Sequence, residues 1–284
     1  MKKILITGAN SYIGTSFEAY LKEKYPDDYA VDTVDMIDGT WRERSFCGCD
    51  AVFHVAGIAH VKETKKNAQL YYEINRDLAF EVAEKASREG VGQFVFLSSM
   101  SVYGKDVGVI DKKTAPAPKS NYGKSKLQAE QMISKLHSDK FKVCILRPPM
   151  VYGKGCKGNY PTLSKLAMKM PIMPYVKNER SMLYVGNLVE FVRLTIENEE
   201  SGTFFPQNAE YGNTSLIMSA IAAAHGKKLI LLKGFVWAIK FLGLFTGLVN
   251  KAYGNLTYDK AMSEYKSEYR IFSLEESIKL TESE

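Results

Sequence analysis

The first fourteen residues constrain this chain most. Lys3 to Ile6 reads as a short apolar strand that runs straight into Thr7-Gly8-Ala9-Asn10-Ser11-Tyr12-Ile13-Gly14. Ile13 to Lys24 then shows the three-and-four apolar spacing of a helix. A strand, a glycine turn and a helix in succession let the backbone turn tightly and present unpaired helix amides at one point. Such a turn suits a pyrophosphate, and predicts Gly8, Asn10, Ser11, Tyr12, Ile13 and Gly14 as contacts to a dinucleotide. The plainer alternative is an incidental glycine turn. Asp35 follows Gly14 by 21 residues, at the end of a second strand read over Ala30 to Val34. A carboxylate there accepts from both ribose hydroxyls of NAD and repels the 2′-phosphate of NADP, so NAD is expected before NADP. Asp32 and Asp38 compete for the role, and Asp38 is also placed to face the adenine. A solvated acidic turn is the plain alternative.

The rhythm of the first turn persists. Strands are expected over Asp50 to Val55, Gln93 to Leu97 and Lys142 to Leu146, and helices over Leu70 to Ser87 and Tyr122 to His137. This alternation predicts an α/β fold, a doubly wound parallel sheet of the Rossmann type, covered by helices on both faces. After Pro148 the pattern loosens, and prolines 161, 171 and 174 break the chain into short pieces. Leu183 to Glu197 is expected to be a helix returning to the sheet. The division expected is a cofactor domain over 1–150 and a smaller C-terminal substrate lobe over 151–284, partly interleaved with it.

Composition narrows the class. With 284 residues, 45% hydrophobic and 25% charged, the chain has a globular balance rather than a disordered one. The net charge of +6 comes from scattered lysines without a basic block, which disfavours nucleic acid and suits an anionic small substrate. Cys47, Cys49, Cys144 and Cys156 lack disulfide-framework or zinc spacing. The four histidines do not cluster with acids, so no metal is expected. Met1-Lys2-Lys3 leads into too few apolar residues for a signal peptide, and reduced cysteines fit a cytoplasmic protein. Phe235 to Val249 is apolar apart from Lys240 and small polar residues, but shorter than the ~20 residues of a bilayer span. It is expected to pack as a helix in the substrate lobe, with contact to a membrane surface as a lesser option.

Ser99, Tyr122 and Lys126 form the candidate chemistry. The YxxxK spacing puts a phenol and an ammonium one turn apart on a helix face. The spacing occurs twice, at Tyr20…Lys24 and Tyr122…Lys126. Only the second follows a strand ending Leu97-Ser98-Ser99, and ligands of such sheets lie outside strand carboxyl ends. A nearby ammonium and a cationic nicotinamide both favour phenolate, so the pKa of Tyr122 is expected to fall. The phenolate then takes a proton from a sugar or alcohol hydroxyl while Ser99 holds the same oxygen. The plain alternatives are a surface pair for Tyr20…Lys24 and an exposed helix pair for Tyr122…Lys126.

Taken together and in order, these residues resemble the extended short-chain dehydrogenase/reductases, in particular the NAD-dependent epimerase/dehydratase family. Thr7-Gly8-x-x-Ser11-x-x-Gly14 is similar to its TGxxGxxG loop, and Asp50-Ala51-Val52-Phe53-His54-Val55-Ala56-Gly57 to its third strand and the turn lining the cofactor. The resemblance implies cofactor contacts at Val55, Ala56, Gly57, Asn75, Tyr122, Lys126 and Pro148. Pro148 stands in Arg147-Pro148-Pro149-Met150-Val151-Tyr152-Gly153. It also implies substrate contacts at Ser101, Met150, Asn159 and Arg180, the last holding a nucleotide diphosphate through its planar fork. Phe272 to Ser277 resembles the start of the family's final helix, with Ser273 and Glu276 spaced as a capping box.

Departures select the reaction. Ser11 stands where the family's middle glycine is, crowding the pyrophosphate or binding it. Met100 and Ser101 stand where 4,6-dehydratases carry an Asp-Glu pair, so water loss is not expected. Met150 stands where many hexose 4-epimerases carry asparagine, and the chain is short for that group. The expected function is NAD-dependent oxidoreduction at C4 of a nucleotide sugar, as a 4-epimerase or a 4-keto-sugar reductase. The alternatives are a non-catalytic NAD(P)-binding regulator of the same fold and, third, a membrane-interaction protein. The resemblance implies a homodimer through the helices near Leu70 to Ser87 and Tyr122 to His137.

Overall fold

A computed structural model describes residues 1–59, 61, 63–234 and 253–283. They form two compact units. The first comprises Met1–Gly104, Ala115–Pro148 and Val189–Pro206; the second comprises Lys105–Thr114, Pro149–Leu188 and Gln207–Glu284.

The first unit is a six-stranded parallel sheet. Its strands are β1 (Lys2–Thr7), β2 (Tyr29–Val34), β3 (Ala51–His54), β4 (Gln93–Leu97), a strand at Lys142–Leu146 and one at Gly202–Phe204. With a three-residue strand at Gly108–Ile110 taken as β5, these last two are β6 and β10 in chain order. The spatial order is β10-β6-β4-β3-β1-β2, every neighbour parallel. Strand order reverses between β1 and β3, which places the sheet's crevice beside the glycine turn. Every residue of β3 and β4 is buried, as expected of strands covered on both faces. Phe94, Phe96, Trp41 and Phe141 pack with Val82, Ala83 and Ala86 in one core.

The helices follow the apolar spacing. Helix α1 (Tyr12–Lys24) buries Gly14, Phe17 and Leu21, and helix α4 (Asn121–Ile133) follows the Ser120 cap. Between them the expected single helix is three pieces: α2 (Ala68–Tyr72), a π-helical turn over Glu73–Leu78 and α3 (Ala79–Arg88). The π turn carries Asn75, which is fully buried. Tyr20 and Lys24 are not a pair. The Tyr20 hydroxyl donates 2.8 Å to Glu190, while Lys24 pairs with Glu23.

The second unit is built from three-residue strands. Parallel pairs join β5 to a strand at Leu256–Tyr258, β7 (Met150–Tyr152) to β9 (Met182–Tyr184), and β8 (Ile172–Pro174) to β11 (Ile230–Leu232). Helices α5 (Asn159–Lys169), α7 (Thr214–Ala224) and α8 (Leu274–Glu282) accompany them, and the capping box at Ser273 and Glu276 is present. The helix expected from Leu183 starts at Val185 as α6 (Val185–Glu197), because Leu183 and Tyr184 are taken by β9. No helix of the described residues is long and apolar enough to cross a membrane. The helix expected over Phe235 to Val249 lies outside the described residues.

Candidate active site

The glycine turn has the backbone its sequence demands. Gly8 has φ +101° and Asn10 φ +66°, both left-handed. A Cβ on Gly8 would lie 2.9 Å from the amide nitrogen of Ala56, so glycine lets the turn after β1 meet the turn after β3. The amides of Val55 and Ala56 donate to the Thr7 carbonyl at 3.1 and 3.0 Å, which closes that contact. Ser11 sits at φ −73°, a conformation open to any residue, so the family's middle glycine is not required here for backbone reasons. Its hydroxyl accepts from the Gly14 amide at 3.2 Å and caps α1. The left-handed residues and the first-turn amides, including those of Tyr12 and Ile13, make an amide-rich turn that suits a pyrophosphate.

Past β2, Asp35 accepts from the Ile37 amide at 2.9 Å, and Asp38 accepts from the amide and hydroxyl of Thr40 at 3.0 and 2.7 Å. Asp32, the third candidate, pairs with Arg44.

The catalytic candidates converge at the carboxyl edge of β4. Ser99 begins a 3₁₀ turn over Met100–Tyr103, and its hydroxyl accepts from the Ser101 amide and donates to the Ser101 hydroxyl, both at 3.1 Å. Gly123 lets α4 close on this turn, since a Cβ there would stand 2.6 Å from the Ser101 carbonyl oxygen. Tyr122, the second residue of α4, is thereby brought beside the turn that Ser99 opens, and Tyr71 packs edge-on against the Tyr122 ring at 6.5 Å. Lys126 is 5% exposed, and its ammonium donates 2.8 Å to the Leu97 carbonyl over the Phe96 ring. Burial lowers its pKa to about 8, with the Glu130 carboxylate working in the opposite direction.

One expectation needs correcting. The Tyr122 pKa is raised, not lowered: burial dominates, the Ser99 hydrogen bond opposes it, and Tyr71 adds to the rise. The Lys126 ammonium is committed to the Leu97 carbonyl and the Phe96 ring, so the polypeptide by itself does not activate the phenol.

Gly57 and Asn75, two of the cofactor-lining candidates, lie near Lys126. A Cβ on Gly57 would meet Asn75 Oδ1 at 2.7 Å and Lys126 Nζ at 3.4 Å. Asn75 clamps the next residue, accepting from the Ile58 amide at 2.9 Å and donating to the Ile58 carbonyl at 3.0 Å. Pro148 follows Arg147 and accepts from the Met100 amide at 2.9 Å. His54, beneath Lys126, is fully buried between Phe94 and Phe96. Its Nδ1 lies 2.7 Å from the Thr7 hydroxyl, its Nε2 has no partner, and burial lowers its pKa to about 3.

Of the substrate candidates, Ser101 is exposed in the first unit. Met150, Asn159 and Arg180 belong to the second. Met150 pairs in register with Met182, Asn159 is the exposed first residue of α5, and Arg180 donates 2.9 Å to the Gly254 carbonyl. Burial lowers the Arg180 pKa, with Asp106 opposing.

Sequence reading missed a buried charged network that reaches the residue before Ser99, the residue before Pro148 and the helix of Tyr122 and Lys126. Glu130 accepts three bonds from Arg147, at 3.0, 3.2 and 2.6 Å, and one from the Ser98 hydroxyl. Arg147 also donates 2.9 Å to the Tyr103 hydroxyl. The available signal was the position of Glu130, four residues past Lys126 on one helix face.

Known proteins resemble this chain in sequence and in fold. The model of the NAD dependent epimerase/dehydratase family matches residues 4–205. A UDP-glucose 4-epimerase of Vibrio cholerae is 29% identical, over 91% of this chain and 87% of that protein. Two solved structures share the fold. One is a UDP-glucuronic acid 4-epimerase from Bacillus cereus in complex with NAD (TM-score 0.73, 18% identity, 98% of this chain and 94% of that one). The other is a dTDP-4-dehydrorhamnose reductase from Clostridium acetobutylicum (TM-score 0.75, 22% identity, 98% of each chain).

Proposed function

The chain belongs to the NAD-dependent epimerase/dehydratase family, and on that premise we propose that it is an enzyme of NAD-dependent oxidoreduction at C4 of a nucleotide sugar, with epimerisation as the leading outcome. The observation carrying this reading is the placement of Ser99, Tyr122 and Lys126 at the carboxyl edge of β4. Gly8, Asn10 to Gly14, Val55 to Gly57, Asn75 and Pro148 would hold the cofactor, with Asp35 and Asp38 at its ribose and adenine end. NAD rather than NADP is favoured by the Asp35 carboxylate beyond β2. NAD held by these residues would supply the hydride acceptor and donor for C4.

The residues supply the rest. Tyr122 takes the proton from the C4 hydroxyl and gives it back, and Ser99 holds that oxygen in line. Because burial raises the Tyr122 pKa, the deprotonated form needs cationic help beyond Ser99. The oxidised nicotinamide is a cation of the required sign. Ser101, Met150, Asn159 and Arg180 are the proposed substrate contacts, and Arg180 suits a diphosphate. A cytoplasmic homodimer, formed through the helical segment 68–88 and α4, is part of the same proposal.

A second reading, reduction of a 4-keto sugar, is favoured by Met150, which cannot make the hydrogen bonds of an asparagine. Incubation of the purified chain with UDP- and dTDP-hexoses, with and without NADH or NADPH, separates the two. Product epimer without net change in nicotinamide absorbance supports the epimerase. Stoichiometric NADH consumption with a 4-keto sugar replaces it by the reductase. No turnover across the panel, with NAD still bound, would leave a regulator of the same fold.

A further inference from the structure

We infer that Glu130, clamped by Arg147, is a positioning residue for the Ser99–Tyr122–Lys126 site, tying the end of β4 and the Arg147–Pro148 turn to the helix of the tyrosine and lysine and serving as counter-charge to Lys126. Four offsets support this. Ser98, which donates to Glu130, immediately precedes Ser99. Arg147, which forks onto both Glu130 oxygens, immediately precedes Pro148. Tyr103, which accepts from Arg147, closes the turn that Ser99 opens. Glu130 itself stands one helical turn beyond Lys126 on α4. A single carboxylate therefore joins three segments that each deliver one part of the site.

The energetics argue for placement over stability. The side chains of Arg147 and Glu130 are 12% and 4% exposed, so both charges are taken out of water. Such a pair seldom stabilises a fold more than apolar groups of the same volume would, while its geometry admits few arrangements. The surroundings of Lys126 give the charge a second effect. His54 faces it from β3 and is neutral, Tyr122 lies one turn back on α4, and Arg147 and Tyr103 are engaged with Glu130 and each other. Glu130 is the carboxylate that raises the proton affinity of Lys126 against burial. Without it, a larger share of Lys126 is neutral near pH 7.5, and a neutral amine does not favour phenolate.

The test follows the Lys126 side chain directly by NMR in the full chain labelled in its lysines, with Lys126→Met for assignment, and runs kinetics in parallel. The activity arm rests on the function proposed above; the titration arm does not. Glu130→Gln is expected to move the Lys126 titration to lower pH and to lower kcat by about 10- to 100-fold with little change in KM. The alkaline limb of the kcat profile moves in the same direction. Ser98→Ala, which removes a bond without a charge, lowers kcat less and leaves the titration in place. If Glu130→Gln does not fold, Glu130→Leu/Arg147→Met is measured by the same two readouts. A folded variant in which Lys126 titrates as in the parent chain and kcat is unchanged overturns the inference. Absence of turnover in the parent chain, with the titration shift present, overturns the proposed function and leaves the counter-charge role standing.

Discussion

The two units hold themselves together by different means. The first relies on long parallel ladders and an aromatic core: β1 pairs six residues with β2, and the side chains of β3 and β4 are buried along their whole length. Among its described residues the second has only three-residue ladders and is knitted by polar side chains. Asn208 accepts from the Tyr184 amide at 2.9 Å and from Asn187 at 3.0 Å, and donates 2.9 Å to the Tyr152 hydroxyl. Tyr152 in turn meets Ser277 at 2.5 Å, and Ser181 bonds Gln207 at 2.5 Å. Ladders tolerate side-chain exchange on one face at a time. A buried polar web does not, because each lost partner leaves another donor or acceptor stranded. The unit that carries the proposed catalytic residues is thus vulnerable to lost packing volume, and the other to lost polar partners.

The largest expected effect lies in the chemistry of the first unit. Tyr122→Phe should lower kcat by about 10²- to 10⁴-fold while NAD affinity, read by fluorescence titration, changes little. Retained turnover would remove the site from the first unit altogether. Next come paired substitutions in the two scaffolds. Phe94→Ala opens the aromatic core and should cost about 3–5 kcal/mol in denaturant unfolding. Asn208→Ala strands the Tyr184 amide and takes from the Asn187 amide group one of its two acceptors, and should cost about 2–4 kcal/mol. A cost near zero for Asn208→Ala would refute the polar web as the element holding the second unit.

A smaller effect concerns pH. The pKa of His54 falls from 6.5 to about 3 on folding, chiefly by burial, so the unfolded chain binds the proton first. The stability it contributes is present above pH 6.5 and lost as pH falls toward 3, amounting to about 2 kcal/mol at pH 5. His54→Phe should flatten that acid limb in a pH series of melts. An unchanged limb would assign the acid sensitivity to other groups. The smallest effect is Ser11→Gly, expected to cost only a few tenths of a kcal/mol, since glycine is itself an acceptable cap. A larger loss would mean the hydroxyl does more than receive the Gly14 amide.

The same contrast explains what was legible in the sequence. Strands over Gln93 to Leu97 and Lys142 to Leu146 stand at the expected bounds, because a fully buried parallel strand is a continuous apolar run. The glycine turn and Ser99 stand where a strand gives way to a helical turn, and Tyr122 and Lys126 stand one turn apart on α4, arrangements that short-range spacing announces. Three-residue strands such as β7, β8 and β9 carry no period to detect, and their polar bonds link residues far apart in sequence. The rise in the Tyr122 pKa was not legible because spacing reports that a lysine is near, whereas the direction is set by the burial of the phenol. Beyond its spacing from Lys126, Glu130 carries no signal of its own in the sequence, since nothing local shows that Arg147 and Ser98 reach it.

The π turn over Glu73–Leu78 bears on how such a site tolerates length change. A π turn amounts to one residue inserted into an α-helix, and here the inserted register delivers the Asn75 amide to both polar groups of Ile58. Downstream, Val82, Ala83 and Ala86 still face the core. Deleting one residue between Glu73 and Leu78 would restore a plain α-helix and keep that apolar face in contact, yet turn Asn75 away from its loop. Helix length and loop anchoring are thereby separable traits in this fold, and a single codon divides them.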